Sequence, residues 1–204
     1  GAGRTDTGGH AKQMYAHFDF DEPIDLENLI YKLNAFLNKD IGIANIHKVR
    51  HNSHARFDAI SREYEYYITQ IKDVYNHDKK YFFSKKLDFD KIDKAIDILK
   101  NTKNFKSFCR TKSDVTNYNC EIFDFNYEIK ESEIIFRIRA NRFLRNMVRS
   151  LIGTILDVSL NKISIKNLTE IIEKSNRIYA GPSVPAHALF LSNVEYPKNV
   201  FLDE

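Results

Sequence analysis

Three clusters hold the residues most able to do chemistry. The first is Gly1-Ala2-Gly3-Arg4-Thr5-Asp6-Thr7-Gly8-Gly9-His10-Ala11. Its glycines permit tight turns and close approach of a ligand, and they leave the carboxylate of Asp6 as an exposed reactive group between an arginine and a glycine pair. An ordinary Asx turn ahead of a strand accounts for the same letters. The GK[ST] ending of a P-loop is missing. The second cluster is His54-Ala55-Arg56-Phe57, followed by Ser61-Arg62-Glu63-Tyr64-Glu65-Tyr66. Alternation along a strand puts Tyr64, Tyr66 and Ile68 on one face and Glu63, Glu65 and Tyr67 on the other. A tyrosine there can stack on a nucleobase, worth about 1–3 kcal/mol per base, or pack in a core with its hydroxyl satisfied. The third cluster is Asn141-Arg142-Phe143-Leu144-Arg145-Asn146-Met147-Val148-Arg149. On a helix, Arg142, Arg145 and Arg149 share a face. With Arg137 and Arg139 just before, they form a compact basic stripe suited to phosphate, or simply a solvated face.

Other candidates are weaker. His47, His51 and His54 have a spacing that could suggest zinc, but no carboxylate or cysteine close by completes a set. Cys109 could attack C6 of a pyrimidine, yet Phe105 and Phe108 around it look like packing.

These groups need a scaffold. Lys12 to Phe20 alternates as a strand, and Leu26, Leu29, Ile30, Leu33 and Leu37 recur as a helix capped by Asp25. Ile41 to Val49 reads as a short strand and Arg62 to Ile71 as a longer one. Lys72 to Lys86 is irregular and marks a crossover between residues 1–75 and 76–204. A helix follows from Phe89, with Asp88 near its cap. Phe123 to Ile129 and Ile134 to Ala140 form a hairpin about a turn at Lys130 to Ser132. Helical spacing resumes from Leu144 to Ile155 and again around Leu168, Ile171 and Ile172. Gly181-Pro182 breaks the chain before a last strand, Ala188 to Tyr196. The mixture argues α+β with a largely antiparallel sheet.

Composition sets broad limits. The 204 residues suit one large domain or two small ones, and 43% hydrophobic content argues against disorder. The net charge of +3 is a mild basic excess, compatible with nucleic acid but not diagnostic of it. Two isolated cysteines argue against a disulfide framework and fit a reduced, cytoplasmic setting. No apolar run approaches the length of a membrane span.

Taken together, the clusters resemble the TruA family of pseudouridine synthases. The pattern G-R-T-D-x-G-x-H-A is met by Gly3 to Asp6, Gly8, His10 and Ala11. H-A-R-F and R-x-Y-x-Y are met by His54 to Phe57 and by Arg62, Tyr64 and Tyr66. F-x-S-F is met by Phe105, Ser107 and Phe108. F-x-x-x-M-V-R-x-x-x-G is met by Phe143, Met147, Val148, Arg149 and Gly153, and P-A-H-x-L-x-L by Pro185 to His187, Leu189 and Leu191. The resemblance implies a pseudouridine synthase fold of two ferredoxin-like halves, and isomerisation of uridines at positions 38 to 40 of the tRNA anticodon stem-loop. It implies no cofactor, no metal and a homodimer. Asp6 matches the catalytic nucleophile, Tyr64 the tyrosine that stacks on the target base, and Arg149 the arginine that pairs with the aspartate and keeps it ionised and oriented. Arg4 matches an arginine that helps hold the flipped nucleotide. Thr5, His10, Arg56, Arg62, Arg142 and Arg145 complete the expected RNA-facing set, which would read shape and backbone more than sequence.

The pattern is not met everywhere. Thr7, Gly9, Glu63 and Ala188 depart from the usual residues, without removing a catalytic group. Family members also carry roughly 50 residues before the aspartate motif, so this exact chain is expected to be poorly active. Two alternatives stay open: a pseudouridine synthase acting on other RNA, and a catalytically idle RNA-binding or folding-helper protein.

Overall fold

The computed structural model describes residues 1–3, 5–111 and 115–202. It is an α+β fold built on one mostly antiparallel sheet. The strands are β1 (His10–Ala11), β2 (Ser61–Thr69), β3 (Tyr81–Phe82), β4 (Ile122–Lys130), β5 (Glu133–Ala140) and β6 (Leu189–Glu195). Their order is β1-β6-β2-β5-β4, with β3 added to the end of β2. β1 lies parallel to β6, and β3 parallel to β2; the β2–β6, β2–β5 and β4–β5 pairs are antiparallel. The helices are α1 (Leu26–Phe36), α2 (Phe89–Lys100), α3 (Met147–Ser159) and α4 (Ile165–Lys174).

β2 is the centre of the sheet, and its alternation is as expected. Tyr66 and Ile68 join the main core with Ile134, Phe136 and Ile138 of β5 and Phe125 of β4. α2 contributes Ile92, Ala95, Ile96 and Leu99 to that core. α3 is buried on nearly every side, from Met147 and Val148 to Val158, as expected of a helix that is apolar all round. Start signals were legible. The carboxylates of Asp25 and Asp88 accept from the amides of Asn28 and Lys91 at 3.2 Å each and cap α1 and α2.

Three expectations are corrected. Lys12 to Phe20 is not a strand: pairing stops almost at once, where both Lys12 N and Gln13 N turn to the one carbonyl of Leu191. The Gln13 side chain then takes the Val194 amide at 2.8 Å, and Met14, Phe18 and Phe20 remain exposed. Ile41 to Val49 makes one bridge only, Val49 to Phe201. The third helix begins at Met147, not near Leu144, because Asn146 sits in the left-handed region at φ 66° and interrupts helical geometry. Arg142 and Arg145 therefore lie on the loop ahead of α3 and do not share a helix face with Arg149.

The opposite sheet face carries a run of charges among apolar side chains such as Ile135, Tyr67 and Phe190. Glu65, buried despite its charge, accepts from Lys12 Nζ at 2.5 Å, Tyr67 Oη at 2.5 Å and Arg137 Nε at 3.1 Å. Arg137 also reaches Glu128 at 2.9 Å. Arg139, expected in the basic stripe, lies 3.8 Å from Glu195 and over the Phe123 ring. Burial alone would raise the Glu65 carboxyl, but its three donors outweigh burial and hold it below the ordinary 4.5. A carboxylate lowered in this way stabilises the fold above its unfolded pKa, and that stability is lost as pH falls. Glu65→Gln should therefore cost about 1 kcal/mol near neutral pH. In urea titrations the gap to wild type should close as pH falls below the ordinary carboxylate value.

Candidate active site

The aspartate loop is built from turns. Gly9 N donates to Asp6 O at 3.0 Å, closing a tight turn, and Gly8 occupies φ 87°, which favours glycine. The loop then feeds directly into β1, where His10 and Ala11 pair with Phe190 and Leu191 of β6. On its other side Ala2 N donates to Tyr15 O at 2.7 Å, and Ala2 is buried against Ala59, Leu191 and Val194. Asp6 is thus carried by a short loop pinned at both ends.

Arg149 comes from the first turn of α3. Its Nη1 donates to Asp6 Oδ2 at 2.9 Å, and its Nε donates to Val184 O at 2.7 Å. The backbone of the same residue accepts from Val184 N at 3.2 Å. Both side chains of the ion pair are largely shielded, 20% exposed for Arg149 and 15% for Asp6. Such shielding makes the pair far more orienting than a surface ion pair.

Residues 181–184, which hold Arg149, lie against α3 at van der Waals limits. A Cβ on Gly153 would sit 1.7 Å from Pro182 O, and one on Gly181 would sit 2.8 Å from the Thr154 Cα. Gly181 N donates to Thr154 Oγ1 at 2.9 Å, and Ser183 Oγ accepts from Asn146 Nδ2 at 2.6 Å and from Arg177 Nη2 at 3.0 Å. Gly153 had appeared only as the last letter of a motif, and Gly181-Pro182 only as a break. Neither signalled that the two segments meet. Arg177 and Ser183 stood out by no sequence pattern.

Tyr64 lies on β2, opposite Ile138 on one side and Leu191 on the other. Its ring meets Phe143 edge-on, with centroids 5.1 Å apart and an interplanar angle of 88°. Burial raises the hydroxyl above its ordinary value; Arg62 opposes that rise and the Asp6 carboxylate adds to it. Asp6 and Arg149 thus meet directly from a loop and a helix start, and Tyr64 stands on the central strand close enough for the Asp6 charge to act on its hydroxyl.

The family model for tRNA pseudouridine synthase matches residues 95–197. The chain is also 46% identical to the tRNA pseudouridine synthase A of Parabacteroides distasonis, over 98% of this chain and 80% of that relative. It is 44% identical to the enzyme of that name in Bacteroides fragilis, over 98% and 81%, and 36% identical to that of Bacillus subtilis, over 96% and 80%. The chain belongs to the tRNA pseudouridine synthase family.

In this pseudouridine synthase the expected RNA-facing residues divide. Arg4 lies outside the described residues. Thr5, Arg56 and Arg145 are exposed, and Arg142 is partly so. His10 stacks on Phe190 with centroids 4.6 Å apart, and its Nε2 lies 3.2 Å from Asp78 O. His187 makes a parallel contact, Nε2 to Lys80 O at 3.2 Å, so two motif histidines hold the crossover segment. Arg62 is turned inward. It donates to Ala59 O at 2.9 Å, to Asn141 O and Ala2 O at 3.2 Å each, and to Arg56 O. Those four carbonyls belong to the His54–Phe57 turn region, the loop ahead of α3 and the aspartate loop. His54 is likewise turned to its own loop, its Nδ1 accepting from Arg56 N at 3.1 Å. Cys109 and Cys120 are both buried, and burial pushes the Cys120 thiol up to about 11.

Gly153→Ala tests how the site is positioned. The added methyl must displace Pro182, and with it the carbonyl of Val184 that holds Arg149. Such overpacking should cost about 1–3 kcal/mol in urea denaturation. Turnover should fall more than the loss of folded protein explains.

Proposed function

We propose that this chain isomerises uridine to pseudouridine in tRNA, at positions 38 to 40 of the anticodon stem-loop, with Asp6 as nucleophile. The observation that carries this reading is the shielded Asp6–Arg149 ion pair, 2.9 Å long, joining two motifs far apart in the chain. The guanidinium engages one carboxylate oxygen, Oδ2, and among the described residues no other acid pairs with it. A carboxylate fixed in this manner is suited to attack on a nucleotide presented from outside the stack.

The isomerisation is redox-neutral. The bond from uracil N1 to the sugar C1′ breaks, the base turns, and C5 bonds to C1′. The proton displaced from C5 leaves, and N1 takes one up, so the atoms balance with no bound cofactor. Asp6 attacks or assists at the sugar or base, and Arg149 supplies the counter-charge. Tyr64 stacks on the target base and, with its hydroxyl raised by burial, stays protonated near neutral pH. The exposed Arg56 and Arg145 and the partly exposed Arg142 contact the RNA backbone, and Arg4 holds the flipped nucleotide. The family resemblance supports a homodimer working in the cytoplasm; no helix among the described residues is long and apolar enough to cross a membrane.

Asp6→Asn keeps the shape of the loop and removes the nucleophilic charge. It should abolish pseudouridine formation in an anticodon stem-loop while leaving salt-dependent tRNA binding in place. Pseudouridine formed by the variant at the wild-type rate would rule out Asp6 as the nucleophile.

A further inference from the structure

The His54–Phe57 turn presents an aromatic ring to solvent beside the aspartate loop. Phe57 is 72% exposed, and the support beneath it is well tied. The rigidity is plain in the backbone. Phe57 N and Asp58 N both donate to His54 O, at 3.1 and 3.0 Å. His54 Nδ1 accepts from Arg56 N at 3.1 Å and Phe57 N at 3.3 Å, and the Asp58 carboxylate accepts from His54 N at 2.8 Å. From beneath, Tyr196 Oη donates to Ala55 O at 2.5 Å, and Ala55 N donates to His17 Nδ1 at 3.1 Å. All of this fixes a turn whose most prominent side chain packs against no core.

The surroundings of that ring specify what fits it. The Arg56 guanidinium lies over the Phe57 ring at 5.4 Å, and the His54 ring lies 4.4 Å from it at 36°. His17 in turn lies 4.5 Å from His54. A flat apolar surface flanked by a cation and imidazoles suits a ligand with both a π-face and a nearby negative charge, which is an unpaired nucleotide. Continuity with the active site comes through Arg62. One nitrogen of that guanidinium, Nη2, touches both Arg56 O and Ala2 O, the latter four residues before Asp6. Turn and aspartate loop are therefore one rigid unit at this point.

We propose that Phe57, with Arg56 over its ring, is a stacking platform for a second unpaired nucleobase of the substrate RNA, distinct from the target base. This rests on the reading that the substrate is RNA. Stacking of one base on such a ring corresponds to about a tenfold or greater gain in affinity. Because Phe57 is exposed and outside the core, replacing it leaves folding intact.

The experiment uses anticodon stem-loop RNAs carrying 2-aminopurine at single unpaired positions, titrated with the protein. Wild type should quench the fluorescence at one position. Phe57→Leu should lose that quenching, bind about tenfold more weakly and raise KM with kcat little changed; Phe57→Tyr should restore both signals. Equal quenching and affinity in Phe57→Leu would overturn the platform even if turnover is normal. Pseudouridine formation by the wild type is scored separately, so failure of the synthase reading is told apart from failure of the platform.

Discussion

The candidate active site depends on a single ion pair. Asp6 and Arg149 stand 143 positions apart in the chain, and of the two it is the arginine that the core holds in place. The loop carrying Asp6 is anchored by buried Ala2 at one end and two residues of β1 at the other, while the helix carrying Arg149 is the most enclosed element among the described residues. A guanidinium on the first turn of such a helix is positioned about as well as any side chain can be, since moving it means moving the core. Its second bond, to Val184 O, fixes its rotation. Orientation then passes from core to arginine to carboxylate, in the direction in which rigidity falls.

The two faces of the sheet divide the physical tasks. The face beneath α2 and α3 is apolar and supplies cohesion, with Phe125, Phe136, Ile138 and Tyr66 in one continuous cluster. The other carries a chain of alternating charges from Lys12 through Glu65 and Arg137 to Glu128. A charged face of this type resists non-specific association better than an apolar one, and it fixes the pairing of β2 with β5 through charge partners that a slip of register would separate.

Much of this was legible in advance. Local rules were sufficient wherever an element was decided locally: Asp25 and Asp88 as caps, the β4–β5 hairpin, and the alternation of β2. The fold class followed from the order of those elements. What failed was decided by distant partners or by single backbone angles. Lys12 to Phe20 has a strand's alternation, but a strand needs neighbours, and among the described residues only β6 is offered, for two residues. The positive φ of Asn146 shortened α3 and dissolved the expected arginine face, and no spacing rule foresees it. The site was legible in part, through the company kept by Asp6, Tyr64 and Arg149. Its supports were not. Gly153 and Gly181 look like ordinary punctuation until their segments meet, and Arg62 reads as a surface cation although its donors face four carbonyls.

The brevity of β1 has a consequence for how a bulky nucleotide could be accommodated. Two residues of parallel pairing fasten the downstream end of the aspartate loop, whereas α3 is fastened by the whole core. The free energy of local opening is correspondingly uneven. Lifting the Asp6–Gly9 turn between its two anchors disturbs a few backbone bonds and one ion pair, while displacing Arg149 would mean dismantling the hydrophobic interior. The carboxylate therefore rides on the yielding half of the pair and the guanidinium on the fixed half, so the loop can give way and then re-form against an unmoved reference point.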